Sequence, residues 1–200
     1  MQKNKMIVIT GATCCGKTII SNRILKLIRG IEKFITSTTR NPRSGEAHGV
    51  HYWFRHLIAF KEFIEKGKLF EYEEVFEETY YGMEREELAR VQGNHNIPLV
   101  VMDVNGAKKI MKNEEIDALI IFIDVPLEDL LKRFLKSIEL GERKNDSVTP
   151  DERKKRMEME IAAKSEFFFV VNNIDLEVAV EEVNYLIKQF TLKKEVVQVG

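Results

Sequence analysis

Met6-Ile7-Val8-Ile9-Thr10-Gly11-Ala12-Thr13-Cys14-Cys15-Gly16-Lys17-Thr18 is the stretch on which the fold turns. A short β-branched run predicts a buried strand, and the apolar positions Ile19, Ile20, Ile24, Leu25, Leu27 and Ile28 that follow have helical spacing, with Gly30 as a stop. Between them Gly11-Ala12-Thr13-Cys14-Cys15-Gly16-Lys17-Thr18 fits G-x-x-x-x-G-K-[ST]. Its glycines let the backbone curl so that successive N–H groups converge on a phosphate, and the next helix offers its positive N-terminus. In such a loop Lys17 would reach the outer phosphates of a nucleotide and the Thr18 hydroxyl would ligate Mg²⁺. A chance glycine-rich turn would not combine strand, Lys-Thr pair and helix. Cys14 and Cys15 fall inside the loop, where small side chains suffice because the backbone does the binding.

Working outward, Leu99–Asp103, Ala118–Asp124 and Phe167–Val171 are further candidates for buried strands. Leu127–Leu135 and Leu176–Phe190 are amphipathic helical segments. Apolar strands alternating with helices predict an α/β protein with a parallel sheet covered on both faces. The expected core is 1–35, 97–128 and 161–190. Residues 36–96 have a different texture, with Pro42, Gly45, Gly49, the aromatic group Tyr52-Trp53-Phe54 and the acidic Glu71–Glu78. They are too many for a loop and predict an inserted lobe. Residues 129–160, polar and basic toward their end, form a second insertion, and 191–200 a tail without clear signal. Thr149-Pro150-Asp151-Glu152 reads as a capping box with proline at the first helical position, so a helix should start there.

The 200 residues contain 31 Lys+Arg against 32 Asp+Glu, for a formal net charge of −1. General nucleic-acid or polybasic membrane binding normally requires a cationic excess, so neither is expected. Any anion must be held by a local cluster of basic groups. Two adjacent thiols cannot build a disulfide framework and lack zinc spacing. With no secretory signal and no apolar run near the ~20 residues of a membrane helix, the expectation is a soluble cytoplasmic protein.

A second anion site is suggested by Thr36-Ser37-Thr38-Thr39-Arg40-Asn41-Pro42-Arg43-Ser44-Gly45-Glu46, followed by Gly49, Tyr52 and Phe54. Two arginines around a proline cannot be core residues, and their planar forks suit bidentate phosphate binding. Asp103 ends an apolar run, where a carboxylate can approach a Mg²⁺–phosphate centre. Asp103-Val104-Asn105-Gly106 matches the D-x-x-G of GTPases, but their N-K-x-D is absent; Asn172-Asn173-Ile174-Asp175 only approaches it.

Together, the phosphate loop, the arginine–proline–arginine block with its Gly, Tyr and Phe, Tyr80-Tyr81-Gly82 and Asp103-x-Asn105-Gly106 resemble the guanylate kinase family. The likeness continues through Phe122-Ile123 and the closing Glu160-Ile161-Ala162 to Val170-Val171-Asn172. It implies a P-loop nucleotide kinase with a parallel-sheet core, an inserted GMP-binding lobe and a helical lid. The implied reaction passes the γ-phosphoryl group of MgATP to GMP, and to dGMP. By the same resemblance Arg40, Arg43, Tyr52 and Tyr81 match positions that hold the GMP phosphate. Glu71 matches the carboxylate accepting from guanine N1–H and N2–H₂; its neighbours are other glutamates, and spacing alone does not select it. Thr36, with Ser37, matches a hydroxyl position near guanine, Gly82 and Met83 follow Tyr81 in the same site, and Asp103 lies near GMP and metal. Lys17, Arg40, Arg133, Arg143 and Arg156 are the implied catalytic cations, with Arg153 a competitor of Arg156.

Three departures from the family pattern stand out. Met83 replaces the usual Ser or Thr, Val101 stands where a carboxylate is frequent, and Ile138–Val148 is longer than usual. A kinase for another small phosphorylated acceptor, and a non-catalytic binding module of the same fold, are the alternatives. An intact Gly16-Lys17-Thr18 argues against the second.

Overall fold

The computed structural model describes residues 3–42, 45–141 and 149–192. In chain order the first elements are β1 (Asn4–Gly11), α1 (Lys17–Leu27), β2 (Ile31–Lys33), β3 (Ser37–Thr38), β4 (Trp53–Phe54), α2 (Leu57–Glu65), β5 (Leu69–Phe76), β6 (Thr79–Glu84) and α3 (Arg85–Gly93). They continue with β7 (Ile97–Val101), α4 (Val104–Met111), β8 (Ile116–Asp124), α5 (Leu127–Glu139), α6 (Pro150–Ala162), β9 (Phe169–Asn172) and α7 (Leu176–Leu192). A five-stranded sheet has the order β2-β7-β1-β8-β9, and a four-stranded sheet the order β4-β3-β6-β5. Within the first sheet β2 runs parallel to β7 and β8 parallel to β9, in keeping with the apolar runs of β7 and β8.

The chain divides into two compact units. One comprises Met1–Met6, Arg29–Val100 and Lys108–Ala118, the other Ile7–Ile28, Val101–Ala107 and Leu119–Gly200. In the second, Ile9, Ile20, Ile24, Phe122, Phe134 and Ile187 are buried, α1 packs against α7 and α5 against α6. Helix α6 begins at the expected place: Thr149 accepts from the Glu152 N–H, and the Glu152 carboxylate accepts from the Thr149 N–H in return.

In the first unit, β5 and β6 form an antiparallel pair with Glu71 opposite Met83 and Glu73 opposite Tyr81. Residues two apart on a strand share a face, so Glu71, Glu73, Tyr81 and Met83 lie on one side of this sheet. Strand β3 joins antiparallel to β6 and parallel to β4. The apolar support is Phe60, Leu69, Leu88 and Val91. Two glutamates are buried with it. Glu84 takes a bidentate pair from Arg55 at 2.9 and 2.8 Å, and Glu87 accepts from Arg90, the Trp53 indole and the Ile35 N–H.

Strands β1 and β8 begin two residues before the expected apolar runs, at Asn4 and Ile116, and β7 and β9 are displaced as well. Strand β7 starts at Ile97 rather than Leu99 and includes Pro98, which the lack of an N–H disfavours except near a strand's first residue. Strand β9 starts at Phe169, because Ala163–Glu166 forms a 3₁₀ turn that buries Phe167 against Phe122, ring centroids 5.3 Å apart. Truncating Phe122 to Ala opens a void in a fully buried cluster. It should lower the unfolding free energy by about 3–5 kcal/mol, read from a urea titration followed by circular dichroism.

Candidate active site

The phosphate loop is held by close backbone approaches. Gly11 has φ 136°, and a Cβ there would lie 2.4 Å from the Ile123 carbonyl oxygen. Gly16 has φ 97°, and a Cβ would lie 2.4 Å from Asn173 Nδ2. The Asn173 amide uses that space to donate to the Cys15 carbonyl at 2.7 Å. Asn173 is itself 3% exposed; its N–H donates to the Asp124 carbonyl at 2.8 Å, and its own carbonyl accepts from Arg133 Nη2 at 2.8 Å. Helix α1 follows Gly16 as its N-cap, with no side-chain cap and no acidic residue in its first turn, so its positive end remains available to an anion.

Lys17 folds over the loop, donating to the Gly11 and Ala12 carbonyls at 2.8 Å each. A cavity of about 600 Å³ opens beside it, lined by Thr13, Cys14, Gly16, Lys17, Thr18, Ile19, Arg133, Ser137, Asn173, Ile174 and Leu176. Glu160 accepts from the Thr13 N–H at 2.9 Å and from Arg156 Nε at 3.1 Å. Arg156 Nη2 is 4.0 Å from Asp103 Oδ2, while Asp103 Oδ1 accepts from the Gly106 N–H at 2.8 Å and caps α4. Arg133, Arg156 and Asp103 are thus in the same unit as the loop. Arg153 is buried instead, its guanidinium 5.7 Å from the Phe134 ring centroid. Arg143 lies outside the described residues.

The two thiols differ. Cys15 is fully buried, and desolvation raises its pKa despite the opposing charge of Lys17; Cys14 is half-buried and faces the cavity.

The second cluster belongs to the other unit. Arg40 donates from Nε to the Tyr81 hydroxyl at 3.0 Å and through both Nη atoms to Glu46 at 2.6 and 2.7 Å. Its guanidinium lies 4.9 Å from the Tyr52 ring centroid, and the Tyr52 and Tyr81 rings meet edge to face at 5.9 Å. Burial opposes the Arg40 charge, but Glu46 and Tyr81 outweigh it and hold its pKa above the ordinary arginine value. Burial raises the Tyr52 pKa, which keeps its hydroxyl protonated at neutral pH. Arg43, the other arginine of the block, lies outside the described residues.

Glu71 has a side chain only 9% exposed, and Lys109 Nζ stands 3.4 Å from its Oε1 and 3.5 Å from Glu73 Oε2. Met83, opposite Glu71, is 1% exposed. Gly82 is buried beside it, Thr36 is half-buried, and Ser37 turns inward to donate its hydroxyl to Glu84. Sequence reasoning passed over Glu46, Lys109, Glu160 and Asn173 as site residues. Glu46 had a signal, as a carboxylate beside the arginine pair; the other three depend on contacts between distant parts of the chain.

A strand–loop–helix phosphate cradle at the end of the central strand of a parallel sheet, with arginines gathered beside it, defines a P-loop nucleotide-binding protein of the α/β class. The comparisons narrow this. A family model described as guanylate kinase matches residues 3–190. The chain is 34% identical to a guanylate kinase of Salinibacter ruber over 95% of its own length and 98% of that protein's. It is 35% identical to a guanylate kinase of Chlamydia muridarum, covering 88% and 82% of the two chains. The crystal structure of guanylate kinase from Anaplasma phagocytophilum superimposes with a TM-score of 0.73 at 25% identity, covering 97% of this chain and 90% of that one. The chain belongs to the guanylate kinase family. Among the described residues no helix is long and apolar enough to cross a membrane.

Two outcomes follow from the loop's packing. Gly16→Ala meets both a positive φ and the Asn173 amide, and should weaken binding of a fluorescent nucleoside triphosphate at least tenfold, by about 1.4 kcal/mol or more. Alkylation at neutral pH should label Cys14 alone, and Cys15 only after denaturation, as read by peptide mass spectrometry.

Proposed function

We propose that this chain transfers the γ-phosphoryl group of ATP to GMP, and to dGMP, giving ADP and GDP or dGDP. The observation that carries the reading is the Arg40–Tyr81–Tyr52 cluster, whose Tyr81 shares a sheet face with Glu71, in a chain that also keeps an intact Lys17 cradle. Arg40 and the two tyrosine hydroxyls suit the GMP phosphate, with Arg43 as a second fork, and Glu71 suits the N1–H and N2–H₂ edge of guanine. Thr36, Ser37 and Gly82 belong to the same acceptor region in this reading, and 36–96 is its lobe.

Phosphoryl transfer gives the protein little covalent chemistry to perform; the work is positioning and charge neutralisation. The loop N–H groups from Gly11 to Thr18 and the α1 N-terminus bind the phosphates of ATP. Lys17 exchanges its carbonyl partners for phosphate oxygens and follows the charge as it passes to the acceptor. Arg133 and Arg156, with Arg143 of the 129–160 lid, offset the charge of the transferring group, a role worth ~10³–10⁵ in rate in related enzymes. Asp103 caps α4 and stands 4.0 Å from Arg156, within reach of it in this reading. No general base is required.

Magnesium fits the donor set. Thr18 presents an exposed hydroxyl at the cavity, and among the described residues no group of three acidic, histidine or cysteine side chains forms a metal cage. Mg²⁺ is commonly held by substrate phosphates, water and one or two protein groups, and Thr18 would be the protein's ligand. When bound it supplies charge screening between the phosphates.

A kinase for a different small acceptor is favoured by one observation, the buried apolar Met83 beside Glu71. An acceptor panel decides between them. With MgATP, GMP and dGMP should be turned over well, and AMP, UMP, CMP and ribose bisphosphate poorly. GMP inert with another acceptor active would overturn the reading. Lys17→Ala should abolish turnover. Glu71→Gln, which sets an amide donor against the guanine edge, should lower kcat/KM for GMP about ten- to a hundredfold with the KM for ATP nearly unchanged.

A further inference from the structure

Helix α4 sends one side chain to the face of the four-stranded sheet that carries Glu71. The Lys109 ammonium donates to the Tyr72 carbonyl at 2.8 Å and stands 3.4 Å from Glu71 Oε1 and 3.5 Å from Glu73 Oε2. Those last two separations are ion-pair distances longer than a good hydrogen bond. An ammonium has three protons, and this side chain is 45% exposed, so it can still address an acceptor arriving beside Glu71. Met83, across the strand pair from Glu71, is a buried thioether with no donor to offer.

We infer that Lys109 is a specificity-determining residue that donates a hydrogen bond to guanine O6 while Glu71 accepts from N1–H and N2–H₂. The inference rests on the reading of Glu71 as the guanine acceptor. It follows from the order of groups along the base. Guanine presents acceptor O6, donor N1–H and donor N2–H₂ in a row, so a carboxylate facing the two donors leaves O6 toward whatever stands beside it. Here that neighbour is an ammonium. Adenine presents the reverse, a 6-amino donor followed by acceptor N1. It would set donor against ammonium and acceptor against carboxylate, with both protein groups left unpaired. A lysine on α4 and a glutamate on β5 thus read two adjacent atoms of the base by opposite charge, without any hydroxyl at position 83.

The test uses two analogues that each remove one contact. The 5′-monophosphate of 6-thioguanosine keeps N1–H and N2–H₂ but replaces O6 with a weak sulfur acceptor, whereas IMP keeps O6 and N1–H but lacks the 2-amino group. Steady-state kcat/KM is measured with GMP and both analogues for the wild-type chain, Lys109→Met and Lys109→Arg. In Lys109→Met the preference for GMP over the thio analogue should fall about ten- to a hundredfold, the scale of a charge-assisted hydrogen bond. The preference for GMP over IMP, which reads Glu71, should be retained, and Lys109→Arg should keep most of both. An unchanged thio ratio in Lys109→Met overturns the inference, and so does loss of the IMP ratio alone, which would make Lys109 only a support for Glu71. Lys109→Gln, with a neutral donor of similar length, replaces Lys109→Met if circular dichroism shows that variant unfolded, and an unchanged thio ratio there overturns the inference equally. A wild-type chain that turns over neither GMP nor its analogues sinks the proposed function itself, a result distinguishable from all the others.

Discussion

The Cys15 carbonyl receives the Asn173 amide at 2.7 Å, and that contact exists only because Gly16 carries no side chain. Much of the unit that carries the Gly11–Thr18 loop is arranged around it. It fixes the carbonyl preceding the left-handed turn at Gly16, and the turn sets where α1 begins. The same asparagine holds Arg133 through its backbone carbonyl and is tied to the end of β8 through its N–H. One side chain therefore joins loop, sheet and arginine. A rotated amide would set oxygen against the Cys15 carbonyl, so the orientation is dictated by the contact itself.

The other unit is organised by charge rather than by backbone curl. Its buried glutamates are all partnered: Glu84 by Arg55 and Ser37, Glu87 by Arg90, Trp53 and a backbone N–H. Removing one member of such a set is costly because the remaining charge stays in a medium that solvates it poorly. Arg40 is braced in the same manner by Glu46 and Tyr81. This explains how a chain with a net charge of −1 presents concentrated cations: its acidic residues hold its basic ones in place as well as cancelling them.

What the sequence reveals follows the range of the interactions. The cradle from Gly11 to Thr18 is legible because a backbone shape requires glycine at fixed places, and the start of α6 because a capping box closes within four residues. The parallel sheet is legible from apolar runs, although Pro98 conceals the true start of β7 and a 3₁₀ turn delays β9. Position 37 has a polar side chain that suits either a ligand or the interior, and only the strand register turns it toward Glu84. Among Glu71, Glu73, Glu74, Glu77 and Glu78 no spacing rule selects one; the pairing with β6 and the approach of Lys109 distinguish the first two. Glu160 and Asn173 reach the loop from 147 and 158 residues away, distances over which a linear pattern carries no geometry.

The contact between Glu160 and the Thr13 N–H has a consequence for how the loop fills. The protein's own carboxylate occupies a donor of the cradle, so a phosphate oxygen that takes this N–H exchanges one anion for another. A weakly bound anion would gain little from that exchange, whereas a polyphosphate engaging the whole loop would gain from every other donor, so the contact would favour polyphosphates over small ions. The displaced carboxylate is also the partner of Arg156. Loading the loop would then loosen an arginine at the moment new negative charge arrives for it to meet.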